Sequence, residues 1–358
     1  MIQYKNLLKK FIFTLLSIFL IIASFNYFVD AYQIFRKQTN SSIIEDLKKG
    51  YFISSDSITV NRIENIYDQL LFFYKNENID TLAIGSSRAA YLNKELIFHS
   101  QNVKYLNFTT GTALLSELAK MIGLFNKHSI GLPETVIIGL DPWIFGEQIQ
   151  LGKIKKLINS SSTLSNNNLS QLFNYEYTKI NLERFFKKSS YIKSKKLNDI
   201  RVRNNNNMIL SPNGDLYYPL KIENTDLQKF KKGVLDFIAK CKTMSFDRRC
   251  LNFNKVKNIN EFLYFINYIQ NRGSKVIIFL APIAPTFYSH ILNNYQFDNY
   301  YSDIKAFLKE LKVKVIGDYN PKTFNLKDDD FIDTMHPKPK VIKQIFETNK
   351  IDLMEDLK

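Results

Sequence analysis

Cysteine and histidine are scarce in this 358-residue chain: there are two cysteines, Cys241 and Cys250, and four histidines, at positions 99, 128, 290 and 336. That stock excludes a disulfide framework and a multi-cysteine metal site, and an all-histidine metal centre would use nearly every imidazole. No metal or cofactor is therefore expected. RNA-recognition, zinc-finger and P-loop signatures are all missing, and no internal repeat is visible. Apart from one segment near the start, no run is long and apolar enough to span a bilayer. What is present is a core: 45% of residues are hydrophobic, with 29 Phe and 20 Tyr, which excludes a disordered or fibrous chain. The net charge is +15. It comes mostly from Lys scattered through Asn-rich stretches, and without a reader motif it reads as composition and membrane-flanking charge rather than nucleic-acid binding.

The exceptional segment is Phe11 to Val29, 19 residues without a charge, enough to cross roughly 30 Å of hydrocarbon as a helix. Lys5, Lys9 and Lys10 precede it, which keeps residues 1–10 cytoplasmic and the rest, from about Asp30, outside. A cleaved signal peptide is the rival. The run is longer than a signal core, however, no A-x-A site follows and no cysteine sits there for lipid attachment. The expectation is an uncleaved single-pass anchor over 11–29 in the cytoplasmic (inner) membrane, Tyr27, Tyr32 and Phe35 at its outer interface, and an extracytoplasmic or periplasmic body. An oxidising compartment allows Cys241 and Cys250 to pair; two free thiols in a Lys- and Arg-rich loop are the alternative.

Residues 30–78 read as a helical linker region, with helical stretches across 43–76. Short apolar runs then alternate with helical patterns: Ile79 to Ile84, Val103 to Phe108, Thr135 to Leu140 and, after a gap, Lys275 to Leu280. Continuous apolar strands separated by helices imply an α/β fold on a parallel sheet. The gap, 150–257, is rich in Lys, Asn and Ser and reads as an inserted cap. Within it MILSPNGDLYYP reads as a hairpin around Pro212-Asn213-Gly214. The α/β domain therefore comprises 79–149 and 258–358.

Ligands in open parallel sheets bind beyond the carboxyl ends of the strands. Gly85-Ser86-Ser87-Arg88, Gly111, Asp141 and Asp333/His336 all fall there. A serine at a strand-to-helix turn exposes its hydroxyl and turns its own N–H toward a tetrahedral oxyanion. Gly111 offers a second N–H. A histidine must take the serine proton and a carboxylate must hold that histidine. Asp333 and His336 are three apart, and no other histidine has Asp at that spacing. His290 reads as a packed or surface residue and His99 and His128 as surface ones.

The blocks IGSSR, NFTTGT, IGLDPW and DDDFIDTMHP, in this order, resemble the SGNH (GDSL-like) hydrolase superfamily over roughly residues 79–145 and 274–340. The anchor followed by NYFVDAYQIF, GSSR and GLDPW is similar to the membrane-tethered DltD- and AlgX/AlgJ-like branch. The resemblance implies a three-layer α/β/α flavodoxin-like sheet. It implies a nucleophile at Ser87, with Ser86 in the preceding position, an oxyanion glycine at Gly111, and a base pair Asp333–His336. It also implies work on a cell-envelope glycan, with a membrane-bound O-acyltransferase as partner. One block departs: Asp141 stands where the family has an oxyanion-donating Asn, and an ionised Asp cannot donate. Asp141 is then either neutralised by Arg88 or binds substrate or water, and Ser86, Arg88, Asp141 and Gly111 form the expected oxyanion and substrate-binding set. Fast ester hydrolysis fits this poorly. The expected function is O-acetyl (O-acyl) transfer through an acyl-serine, with a glycan O-acetyl esterase or a non-enzymatic accessory subunit of a polymer acylation or export complex as the alternatives.

Overall fold

The computed structural model describes residues 2–29, 41–55, 63–98, 103–111, 113–146, 149–159, 172–186, 191–203, 207–223, 226–243, 256–295 and 297–348. Helix α1 (Ile2–Val29) contains a 26-residue stretch, Tyr4–Val29, with a mean hydropathy of 2.2, long and apolar enough to cross a membrane. Helix α2 (Ser41–Lys48), strand β1 (Phe52–Ser55) and helix α3 (Ile63–Phe73) follow. The helical linker expected over 30–78 is corrected here, because β1 interrupts it. Its Ile53 is fully buried, and its backbone pairs on both sides with strands contributed by the insertion.

The α/β body runs β2 (Thr81–Gly85), α4 (Lys94–Ile97), β3 (Tyr105–Thr109), α5 (Leu115–Lys127), β4 (Thr135–Gly139) and α6 (Leu151–Asn159). The insertion then gives α7 (Tyr175–Phe186), β5 (Tyr191–Ser194), α8 (Leu197–Arg203), β6 (Ile209–Leu210), β7 (Leu216–Tyr217), α9 (Leu220–Glu223) and α10 (Leu227–Thr243). The body resumes with α11 (Ile259–Gln270), β8 (Lys275–Leu280), α12 (Pro285–Tyr295), α13 (Phe297–Glu310), β9 (Lys314–Gly317) and α14 (Pro339–Thr348).

Five strands make one sheet in the order β3-β2-β4-β8-β9, parallel at every pairing. Counted within that sheet, the order is 2-1-3-4-5, a doubly wound arrangement whose direction of travel reverses between β2 and β4. The strands are buried along β2, β3 and β4, which is why they read as unbroken apolar runs rather than alternating ones. The second sheet, β5-β1-β6-β7, is antiparallel, and β6 and β7 are the hairpin expected around Pro212-Asn213-Gly214. The hairpin turn docks on the edge strand of the main sheet: Asn107 N–H donates to the Asn213 carbonyl at 2.9 Å. Gly214 has φ +84°, and a Cβ there would press on the Asn107 carbonyl at 2.5 Å, so only glycine lets the turn lie this close. The first helix of the expected cap, α6, belongs structurally to the body. Gly123 lets α5 approach the α6 backbone at Leu157, and Asn126 Nδ2 donates to the Ile158 carbonyl at 2.6 Å.

Candidate active site

Gly85 ends β2 and Gly139 ends β4. A Cβ on Gly85 would stand 2.7 Å from the Ala89 Cβ, and one on Gly139 would stand 2.5 Å from the same atom. Two glycines side by side therefore let a short 3₁₀ turn, Ser87–Ala89, sit directly over the strand ends at the sheet's reversal point. Ser86 caps that turn: its hydroxyl accepts from the Arg88 N–H at 3.1 Å. Ser87, the next residue, is left half-buried with its side chain toward the cleft.

Ser87 Oγ lies 2.8 Å from His336 Nε2. His336 Nδ1 lies 2.8 Å from both carboxylate oxygens of Asp333. The three residues expected from sequence to act together are thus in hydrogen-bonded series, although Ser87 and His336 are 249 positions apart in the chain. The loop holding the histidine is stiffened locally. Asp333 Oδ1 accepts the N–H groups of Met335, at 2.8 Å, and His336, at 3.0 Å, while Ile332 N–H donates to the His336 carbonyl at 2.8 Å. Protein packed around the carboxyl pushes the Asp333 pKa up, but the adjacent His336 and the two N–H donors outweigh it and hold the value at about 2. Asp333 is accordingly ionised throughout the range in which an imidazole exchanges protons.

Gly111, half-buried after β3, brings its carbonyl to 3.4 Å from Ser87 Oγ. Among the described residues, no backbone acceptor takes the N–H of Ser87 or of Gly111.

The other expected binding residues lie elsewhere than in the cleft. Arg88 and Asp141 are each 2% exposed and 2.9 Å apart. The guanidinium also donates to the carbonyls of Met335 (3.1 Å), Pro282 (3.2 Å) and Ala281, and it lies 5.6 Å from the ring centres of both Trp143 and Tyr319. Burial pushes the Asp141 carboxyl up, and Arg88 with the Ser86 hydroxyl pulls it back. Arg88, Asp141 and Ser86 are all buried: Arg88 pairs with Asp141, the first of the two alternatives the sequence offered, and Ser86 caps the Ser87 turn. Their cluster ties the Ser87 turn, the end of β4, the end of β8 and the His336 loop into one unit. The GSSR and GLDPW blocks are in contact because they supply its two charges.

Tyr218 was invisible in the sequence as a site residue. It follows β7 in the cap hairpin, and its ring centre is 5.8 Å from that of His336. Burial and then the Asp333 charge hold its phenol well above the ordinary pKa. Tyr218 is thus a neutral hydroxyl donor at physiological pH. The only sequence signal was its place next to a predicted turn, and nothing local says that the turn packs over the sheet's reversal point.

Cys250 and the Cys241 side chain lie outside the described residues, as does His99. His128 is held rather than free: its Nε2 is 2.7 Å from Asp68 Oδ1. His290 packs against Phe287, ring centres 6.2 Å apart. A cavity of about 620 Å³ opens between the cap hairpin and α14, lined by Lys94, Asp215, Tyr217 and Lys343 among others, and none of the triad residues reaches it. Among the described residues, no group of three or more His, Cys, Asp or Glu gathers as a metal site would require. Neither a protein-family model nor a curated protein matches this chain.

Proposed function

We propose that this chain is an SGNH-like, flavodoxin-type serine acyltransferase. It is anchored by α1 in the cytoplasmic membrane with its body outside, and it passes an acyl group, most plainly acetyl, onto a hydroxyl of a cell-envelope glycan. The observation that carries the reading is the Ser87–His336–Asp333 series at the reversal point of a parallel sheet. His336 Nε2 takes the proton of Ser87 Oγ as Oγ bonds to the acyl carbonyl carbon. The negative charge that develops on the carbonyl oxygen faces the N–H groups of Ser87 and Gly111 and the Tyr218 hydroxyl. Asp141, fixed on Arg88, leaves to Tyr218 the donor role that an Asn would fill. Collapse expels the donor's leaving oxygen, which takes the proton from His336, and an acyl-serine remains. An incoming sugar hydroxyl then gives its proton to His336 and attacks the acyl carbon; the acyl–Oγ bond breaks, Ser87 Oγ takes that proton back from His336, and the new sugar ester departs. The glycan as acceptor and a membrane-bound O-acyltransferase as donor partner rest on the resemblance of the anchor, GSSR and GLDPW blocks. The three-residue series itself supports only the acyl chemistry.

The test uses purified full-length protein and a fluorophosphonate probe, followed by a chromogenic acetyl ester with and without added acceptor glycan. Wild type and Ser86→Ala should label, and Ser87→Ala should not. Tyr218→Phe, which keeps the ring against His336 but removes the donor, should acylate about 10²-fold more slowly. Labelling of Ser87→Ala but not Ser86→Ala reassigns the nucleophile. No Ser87-dependent labelling or turnover at all overturns the enzyme reading. Acceptor-stimulated ester loss marks a transferase, and indifference to acceptor marks an esterase.

A further inference from the structure

Helix α7 packs along α1. The ring of Phe173, just before α7, meets Phe19 at 5.9 Å, and Phe185 meets Phe25 at 5.9 Å. Between these, Asn26 Nδ2 donates to the Leu172 carbonyl at 2.7 Å and to Thr178 Oγ1 at 2.8 Å, while Asn181 Nδ2 donates to Asn26 Oδ1 at 2.9 Å. Asn26 and Asn181 are both fully buried, so two side chains that would be costly alone in hydrocarbon satisfy each other.

The depth of this contact is fixed by α1. Phe19 is ten residues from the end of the helix at Val29, about 15 Å at 1.5 Å per residue, or about half of a ~30 Å hydrocarbon layer. A segment that touches α1 from Phe19 to Asn26 lies at the level of the leaflet nearest the body. Beside this contact it leaves Phe173, Tyr175, Leu182, Phe185 and Phe186 each between 43% and 79% exposed. Such a cluster of large apolar side chains is unusual on a water-facing surface. It cannot be a second span: α7 has 12 residues, about 18 Å of helix, and its sequence includes Glu176, Lys179, Glu183 and Arg184. Short, aromatic-rich and carrying both charges, it suits the boundary between headgroups and acyl chains.

We infer that α7 with Phe173 is a second membrane contact, seated in the body-side leaflet against α1, with lipid acyl chains as its occupant. The inference rests on α1 being a membrane span. Lipid is the occupant because the exposed face is continuous with the apolar wall of α1 itself, whose Phe13, Leu16, Leu20 and Ile21 are equally exposed. The consequence is orientational: a single helix lets the body swivel, whereas two contacts fix one face of the cap toward the membrane.

The full chain, reconstituted in phosphatidylcholine vesicles containing a phosphatidylcholine with a photoactivatable acyl chain, tests this by mapping lipid adducts by mass spectrometry. Adducts are expected on α1 and on α7. A Phe185→Ser/Phe186→Ser variant should reduce the α7 adducts several-fold and leave those on α1 unchanged. Adducts on α1 with none on α7, or crosslinks from α7 to another protein molecule in place of lipid, overturn the inference and leave the anchor standing. Adducts on neither overturn the anchor reading as well.

Discussion

Arg88 meets four partners from three parts of the site: Asp141 after β4, Ala281 and Pro282 after β8, and Met335 in the histidine loop. A buried guanidinium satisfied in this way organises the cleft, but it is also a liability, because removing it strands the Asp141 carboxylate away from water. Arg88→Met should therefore lower unfolding free energy by about 3–5 kcal/mol, read as a shift in denaturant midpoint. The Arg88→Met/Asp141→Leu double variant should recover much of the loss. A single variant within 0.5 kcal/mol of wild type would show that the pair is not desolvated. The sequence made Ser87, Asp333 and His336 legible because each chemistry needs a particular residue at a particular strand end. For Arg88 and Asp141 it left two alternatives open, because a charged residue in a motif looks alike whether it faces substrate or another charge, and only packing, which pairs the two, tells these apart.

At the scale of elements, the cap hairpin couples the insertion to the site. Its turn is built on Ser211, whose hydroxyl accepts from the Asn213 and Asp215 N–H groups at 3.2 and 3.0 Å and donates to Asp215 Oδ2 at 3.2 Å. Asn107 in β3 donates to Asp215 Oδ1 at 3.3 Å. Burial raises the Asp215 pKa to about 7 against those hydrogen bonds. The folded state thus holds this proton more tightly than the unfolded chain does. The stabilising contribution is fully present below the ordinary carboxyl value, near pH 4, and is lost as pH rises through about 7. At ~1.4 kcal/mol per pH unit the effect is of order 4 kcal/mol between those limits. Thermal melts should accordingly show wild type losing stability from pH 5 to 8, and Asp215→Asn, which needs no proton to stay neutral, should flatten that trend. A variant with the wild-type pH slope would remove Asp215 from the account. The hairpin was readable from Pro-Asn-Gly flanked by apolar pairs. Its docking on β3, which delivers Tyr218 to the triad, depends on contacts between segments more than 100 residues apart and left no local pattern.

Across the whole molecule, the α/β alternation, the parallel sheet and the apolar first helix could be read from the sequence because each follows from periodicity along the chain. The division into linker, body and cap was less legible, since β1 before the body pairs with β5 and β6 from the insertion, and α6, nominally in the insertion, packs on α5. These pairings join the segment before the body to the insertion, so body and cap form one unit. The proposed side of the membrane on which they sit rests on charge. Lys5, Lys9 and Lys10 precede the apolar stretch, and cationic flanks are retained on the cytoplasmic side. The proposed function, a serine acting on an envelope polymer, requires the body to be on the opposite side. Alkaline phosphatase fused after Lys358 should therefore be active and a fluorescent protein fused there dark, because the first folds only after export and the second only when retained. Replacing Lys5, Lys9 and Lys10 with Gln should weaken that bias and lower phosphatase activity. A bright fluorescent fusion with inactive phosphatase would place the body in the cytoplasm. Ser87 and His336 could then keep their geometry, but the envelope glycan could not be their acceptor.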